Sequence, residues 1–147
     1  MCSSDLTVHA SGGAAMIRAA ADTLPDTKIV AVTILTSLSQ DDLRQVGFLG
    51  SPIEAVTRLA SLAVDAGARA IVCSPMEVAA VRSVVPTSVT LITPGVRPAG
   101  ADAGDQSRIA TPEKAIADGA DLVVIGRPIT GAANVAAAAA SIASGLV

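Results

Sequence analysis

Two short stretches of this sequence gather groups that bind anions. The first is Leu91-Ile92-Thr93-Pro94-Gly95-Val96-Arg97-Pro98, followed by Gly104-Asp105-Gln106. A strand-like apolar run ends there in a Pro-Gly turn, and one loop then presents a guanidinium (Arg97) and an amide (Gln106). The second is Ile125-Gly126-Arg127-Pro128. Gly126 bares a backbone N–H where a helix begins, and the dipole of a helix N-terminus favours an anion. Arg127 adds a fork of donors that matches phosphate oxygens. Taken singly, each is an ordinary surface arginine in a loop; taken together, in consecutive strand–loop–helix units, they read as a phosphate cradle. Thr36-Ser37 close a β-branched run, and their hydroxyls fit a ligand contact or a turn equally well.

The remaining reactive side chains read as structural. His9 is the sole histidine and has no adjacent carboxylate, so a structural role is favoured over a general base. Cys73 ends an apolar run and reads as a small buried hydrophobe. Asp102 and Asp105 flank Gly104 and read as loop-shaping residues. No Cys/His spacing suggests a metal site. The lysines are two, Lys28 and Lys114. Lys28 opens a strand and so belongs at the end away from the loops that hold the cradle; Lys114 belongs to a helix.

Apolar β-branched runs alternate with helical patterns. Strands are expected at Leu6–Ala10, Lys28–Leu35, Arg69–Cys73, Val89–Ile92 and Leu122–Ile125. Helices are expected at Ala14–Ala21, Pro52–Ala66, Pro75–Val84, Pro112–Asp118 and Pro128–Ser144, with a short extra turn starting at Ser39-Gln40-Asp41-Asp42 and a long loop over Pro94–Ala110. Ser51-Pro52-Ile53-Glu54 and Ser74-Pro75-Met76-Glu77 each carry a capping serine, a proline at the first helical position and a glutamate at the third. Gly67 and Gly119 stand where a glycine ends a helix. The stretch 66–75 repeats in 118–128 as helix end, strand, turn and helix start.

Five βα units imply a parallel sheet covered by helices. A doubly wound dinucleotide fold carries a G-x-G-x-x-G turn after its first strand, and none is present. A (β/α)8 barrel places a phosphate site in the loops after its last two strands, where the cradle lies. The expected fold is therefore α/β, a partial (β/α)8 TIM barrel of about five βα units corresponding to strands 4–8. An intact barrel needs roughly 250 residues; this sequence has 147. Residues 5–147 are expected to form the C-terminal part of the barrel, with 1–4 a boundary artefact or a disordered start.

Composition narrows the function classes. Half of the residues are hydrophobic (51%) and mean hydropathy is +0.60, enough for a sizeable core. No apolar run reaches a membrane span, and no secretory signal pattern is visible. With no cysteine pairing pattern, a reduced cytoplasmic setting is expected. A net charge of −3 without a basic stripe disfavours nucleic acid, as does Phe48 being the single aromatic residue.

Val8–Gly13 (VHASGG), Ala31–Ser37 (AVTILTS), Val72–Pro75 (VCSP), Leu91–Ile116 (LITPGVRPAGADAGDQSRIATPEKAI) and Val123–Thr130 (VVIGRPIT) resemble the orotidine 5′-monophosphate decarboxylase family, bacterial type, over nearly the whole chain from Asp5. The resemblance implies a homodimeric barrel that converts orotidine 5′-monophosphate to UMP and CO2 in pyrimidine biosynthesis without a cofactor. It implies that Arg97, Gln106 and Arg127 bind the 5′-phosphate, with Gly126 adding its N–H. Thr36 would contact the nucleotide, Pro94 would line the pyrimidine pocket, and the loop between Arg97 and Gln106 would close over the substrate. The family's Lys-Asp-Lys-Asp array lies on early strands, and no D-x-K-x-x-D pattern occurs in these residues. No catalytic residue is therefore expected in this chain, and the polypeptide alone is expected to be inactive. Two other readings are a non-catalytic phosphate- or nucleotide-binding half-barrel and a sibling sugar-phosphate barrel enzyme such as a hexulose-phosphate synthase. The TPGVRP…GDQ loop favours the nucleotide enzyme over the latter.

Overall fold

The structure is a computed structural model and describes residues 4–98 and 110–146. The strands β1 (Asp5–His9), β2 (Lys28–Val32), β3 (Ala70–Val72), β4 (Thr90–Thr93) and β5 (Leu122–Val123) form one sheet. Every pairing is parallel and the order is β1-β2-β3-β4-β5. A doubly wound sheet reverses its order at a switch point; this one never reverses, which is the barrel sequence of strands. Between them run α1 (Gly13–Thr23), α2 (Gln40–Gln45), α3 (Pro52–Asp65), α4 (Val78–Val84) and α5 (Pro112–Ala117), and after β5 come α6 (Arg127–Thr130) and α7 (Val135–Ser144).

Strand alternation divides the sheet into two faces. Ile29, Ala31, Ile71, Cys73 and Leu91 join the helix-side core with Ile17 of α1, Val56 and Leu59 of α3, Val81 of α4 and Ala115 of α5. The other face is built in rows set by the register. One row is Thr7, Val30, Ala70, Thr90; the next is His9, Val32, Val72, Ile92, Leu122. Such rows are the layers that fill a barrel interior. Exposure on this face grows towards the β5 edge: Val30 is 4% exposed, Leu122 54% and Val124 51%.

The short connections are fixed by local chemistry. At the end of α3, Ala68 N donates to Ala63 O at 2.9 Å while Gly67 has φ +104. At the end of α5, Ala120 N donates to Ala115 O at 3.0 Å while Gly119 has φ +109. The repeated sequence thus folds into a repeated glycine-terminated helix end. Arg82 of α4 ties two units together: its guanidinium donates to the carbonyls of Gly119 and Val89 and pairs with Asp121 at 2.6 Å. The same Asp121 carboxylate accepts the Leu91 N–H at 2.7 Å.

Several boundaries differ from the sequence expectation. The second strand stops at Val32; the next residue, Thr33, makes the last ladder bond, its N–H and hydroxyl both donating to Val72 O. The helix expected from Pro75 begins at Val78, because Ser74 and Glu77 bond to each other in a turn. The helix expected over Pro128–Ser144 is two helices. It breaks after Thr130, and Asn134 recaps the chain by accepting the Ala137 N–H. Ser4, at the expected boundary segment, accepts the Lys28 N–H through its carbonyl at 3.2 Å; Met1–Ser3 lie outside the described residues.

Full capping boxes close on Ser39/Asp42 and Ser51/Glu54. The Ser39 hydroxyl and then its N–H hold the Asp42 carboxyl below its ordinary value of 3.8. The Ser51 N–H and then its hydroxyl do the same for Glu54, whose ordinary value is 4.5. A lowered folded-state value adds stability that is present above the ordinary value and is lost as pH falls through the lowered one. Glu54→Gln should therefore flatten the acid limb of a stability–pH profile measured by urea unfolding; an unchanged limb would remove the cap from the account. The outer edges of β1 and β5 pair with no strand of the described sheet. Exposed edges template association, so the chain should associate with rising concentration in sedimentation experiments, and Val124→Lys should reduce it.

Candidate phosphate-binding rim

In a parallel sheet all strands end on one side. Thr33, Ser74, Glu77, Thr93 and Arg97 are the buried polar and charged residues of the described chain. Each lies at, or within five residues past, the C-terminal end of β2, β3 or β4. Burying polar groups costs free energy unless they are bonded, so their concentration on one rim marks that rim as the place where the fold accepts a cost.

Most of these groups are satisfied. Thr33 Oγ1 donates to Val72 O at 2.8 Å. The Ser74 hydroxyl donates to the Glu77 carboxylate and accepts the Met76 N–H at 3.3 Å. Arg97, 8% exposed, donates through Nη1 to Val96 O at 2.8 Å. Only Thr93 Oγ1 lacks a partner among the described residues. The sequence reading took Ser74 and Glu77 as a helix cap; nothing local in the sequence distinguishes an exposed cap from a buried one.

The residues singled out in the sequence are distributed as follows. Pro94 follows β4 directly and is half-buried; Gly95 has φ +78, so the turn needs a residue free to adopt left-handed backbone. Val96 bridges Ala110, with Arg97 N donating to Ala110 O at 2.9 Å, which closes the base of the long loop. Gln106 lies outside the described residues, as do Asp102 and Asp105. Gly126 caps α6, its carbonyl accepting from Ile129 and Thr130. A Cβ at 126 would meet nothing within 4 Å, so the approach to its backbone is open. Arg127 is exposed beside it. The units of Arg97 and Arg127 are neighbours, joined by Val124 N donating to Thr93 O at 2.9 Å. Thr36 sits on the same rim, in the turn after β2 and two strands away from β4. His9 ends β1 on the interior face, in the row of Val32, Val72 and Ile92.

The opposite end is different in kind. A cleft of about 540 Å³ opens there, lined by Asp26, Lys28, Arg69, Ser88 and Thr90 among others. Arg69 donates to Pro25 O at 3.0 Å and Thr27 O at 2.6 Å, and Lys28 reaches Thr90 Oγ1 at 3.5 Å. Helices α3 and α4 end on this side, where exposed carbonyls favour cations. Arg69 here serves backbone carbonyls and Lys28 a hydroxyl, so despite its volume the cleft is poorly suited to an anion. Lys114 pairs with Asp118 on α5 at 2.8 Å, away from the rim. Among the described residues no group of three His, Cys, Asp or Glu side chains could hold a metal ion, and no helix is long and apolar enough to cross a membrane.

Comparisons with known proteins bear on the family and the fold. An orotidine 5′-phosphate decarboxylase of Thermobifida fusca is 63% identical over 141 residues, covering 96% of this chain and 60% of that protein. One from Anaeromyxobacter dehalogenans is 57% identical over 142 residues, covering 96% of this chain and 63% of that protein. The crystal structure of orotidine 5′-phosphate decarboxylase from Lactobacillus acidophilus superposes with a TM-score of 0.81 at 36% identity, covering 97% of this chain and 63% of that one. The chain thus spans about 60% of the length of these relatives, and its fold is part of a (β/α)8 barrel. The model of the Orotidine 5'-phosphate decarboxylase / HUMPS family matches residues 4–142. That match runs through all five βα units and both arginine-bearing turns, and on that ground the chain belongs to the family.

Proposed function

We propose that these residues form the phosphate-binding part of an orotidine 5′-monophosphate decarboxylase, a carboxy-lyase of UMP biosynthesis acting in the cytoplasm as a homodimer. The observation that carries this reading is the adjacency of two arginine-bearing turns, Pro94–Arg97 after β4 and Gly126–Arg127 after β5, on the rim where helix N-termini point. In this reading Arg97, Gln106 and Arg127 hold the 5′-phosphate with the Gly126 N–H, Thr36 contacts the nucleotide, and Pro94 lines the pyrimidine pocket.

The chemistry divides between binding and reaction. Holding the phosphate supplies binding energy that fixes the reacting centre. Loss of CO2 leaves a carbanion that needs a proton donor within hydrogen-bond reach. Lys28 lies at the far end of its strand, Lys114 is engaged with Asp118, and His9 has no carboxylate array around it. In this reading these residues hold the substrate, and proton delivery falls to a Lys/Asp array of the family type, of which no D-x-K-x-x-D pattern occurs here. A second reading, a nucleotide-binding half-barrel without catalysis, is favoured by the absence of a D-x-K-x-x-D pattern.

Two measurements test this. Arg127→Ala should weaken UMP binding by roughly 1.5–3 kcal/mol, the range for a charge-assisted hydrogen bond; equal titration curves would contradict the assignment. UMP formation from orotidine 5′-monophosphate should be undetectable with the 147-residue polypeptide and should appear when a segment supplying the Lys/Asp array is co-expressed. Turnover by the chain alone, abolished by His9→Ala, would overturn the division of labour.

A further inference from the structure

Strand β5 is the least secured strand of the sheet. Its ladder with β4 has two registered pairs, Ile92↔Leu122 and Thr93↔Val123, against five between β1 and β2 and three at each of the other junctions. Its outer edge pairs with no strand among the described residues. A slip of two residues would keep every side chain on its own face. It would nonetheless move the chain beyond β5 by roughly 6.6 Å, at about 3.3 Å per residue. Gly126 and Arg127 lie just beyond β5, and Pro94–Arg97 just beyond β4. The spacing of the two arginine-bearing turns is therefore set by this register.

Side chains at the opposite end of the sheet compensate for the short ladder. Asp121 Oδ2 accepts the Leu91 N–H at 2.7 Å, while Asp121 N donates to Leu91 O at 3.0 Å. The two residues are bonded twice, and a slip of β5 breaks both bonds. The same Oδ2 accepts from Arg82 Nη2 at 2.6 Å. Arg82 comes from α4, and its guanidinium also donates to Gly119 O, from Nε at 3.2 Å and Nη2 at 2.9 Å, and to Val89 O from Nη1 at 3.0 Å. One planar fork thus spans the residue before β4 and the residues leading into β5. Gly119 leaves room for it: a Cβ there would stand 3.3 Å from Arg82 Cγ, and its φ of +109 suits glycine.

We propose that Arg82 and Asp121 are positioning residues for the phosphate-binding rim. Their latch fixes the register of β5 on β4, and through the strands it fixes where Gly126–Arg127 stand relative to Arg97. Both residues sit at the end away from the rim and touch no ligand. This inference rests on the phosphate-binding reading of Arg97 and Arg127.

The test pairs a calorimetric titration of the full chain with UMP and amide hydrogen exchange of the ligand-free chain. Asp121→Asn keeps an acceptor for the Leu91 N–H and removes the ion pair. It should weaken UMP binding roughly three- to tenfold. Exchange of the Val124 N–H, bonded to Thr93 O, should quicken by a similar factor, while the Cys73 N–H, bonded to Ile92 O in the β3–β4 ladder, keeps its rate. Arg82→Lys keeps the charge and loses the planar fork. It should shift both readings in the same direction, and it carries the test if Asp121→Asn does not fold. Ile17→Val, a core change in α1, lowers stability and should leave UMP affinity unchanged. In an Arg127→Ala background, Asp121→Asn should cost less affinity than in the unaltered chain, because a group it positions is gone. Unchanged UMP affinity or unchanged Val124 exchange in the latch variants would overturn the proposal alone. So would an equal loss with and without Arg127, or a loss of the same size in Ile17→Val. Failure of the unaltered chain to bind UMP would overturn it together with the phosphate-binding reading.

Discussion

The rest of the structure depends on parallel pairing in a steadily advancing order. Each backbone N–H and C=O buried in the sheet must find a partner. Parallel strands find theirs only if the chain returns to the starting side before each new strand, and here α1, α3, α4 and α5 make those returns. Repeating the return brings the C-terminal ends of the strands to one rim. Residues as distant in sequence as Thr36 and Arg127 share that rim through the backbone ladder, with no direct side-chain contact required. The register then sets which side chains meet: the row His9, Val32, Val72, Ile92, Leu122 follows from the pairing.

The same order polarises the molecule. Helices between parallel strands run antiparallel to them, so helix N-termini gather at the rim and C-termini at the opposite end. Identical residue types meet opposite electrostatic surroundings by this placement. Arg69 and Arg82 donate to carbonyls at the helix C-terminal end. Arg97 and Arg127 stand at the end where N–H groups and partial positive charge already favour an anion. The cleft at the lower end holds cations as well, yet they stabilise the fold. The rim holds a cluster of buried polar side chains, and one of them, Thr93, is unpaired among the described residues.

The sheet is covered unevenly. Its helix side is a continuous core from Ile17 to Ala115. Its other side is filled only towards the middle, where Val30 and Ala70 are buried, and opens at Leu122 and Val124. The two arginine-bearing turns lie on the two units nearest the open β5 edge. Each turn is stabilised within its own strand–loop–helix unit, through the Val96–Ala110 bridge and the Gly126 cap.

The sequence alone determined what depends on local chemistry. Strand and helix alternation, the Ser39 and Ser51 caps, the Thr111-Pro112 helix start and the glycine ends at Gly67 and Gly119 are set by residues within a turn of one another, and all are present in the structure. The turns at Pro94-Gly95 and Gly126-Arg127-Pro128 were legible for the same reason: Pro-Gly and Gly-Arg-Pro carry their geometry with them. Tertiary structure decided what depends on neighbours brought from elsewhere. Val72 O takes both the N–H and the hydroxyl of Thr33 at the end of the second strand, and packing buries Ser74 and Glu77, whose spacing suggested a helix cap. Asp121 became the shared anchor of Arg82 and Leu91, a role set by residues 30 and 39 positions away. The unpaired Thr93 hydroxyl belongs to the same class, since a hydroxyl's partner, or its lack of one, exists only once the surrounding chain has closed over it.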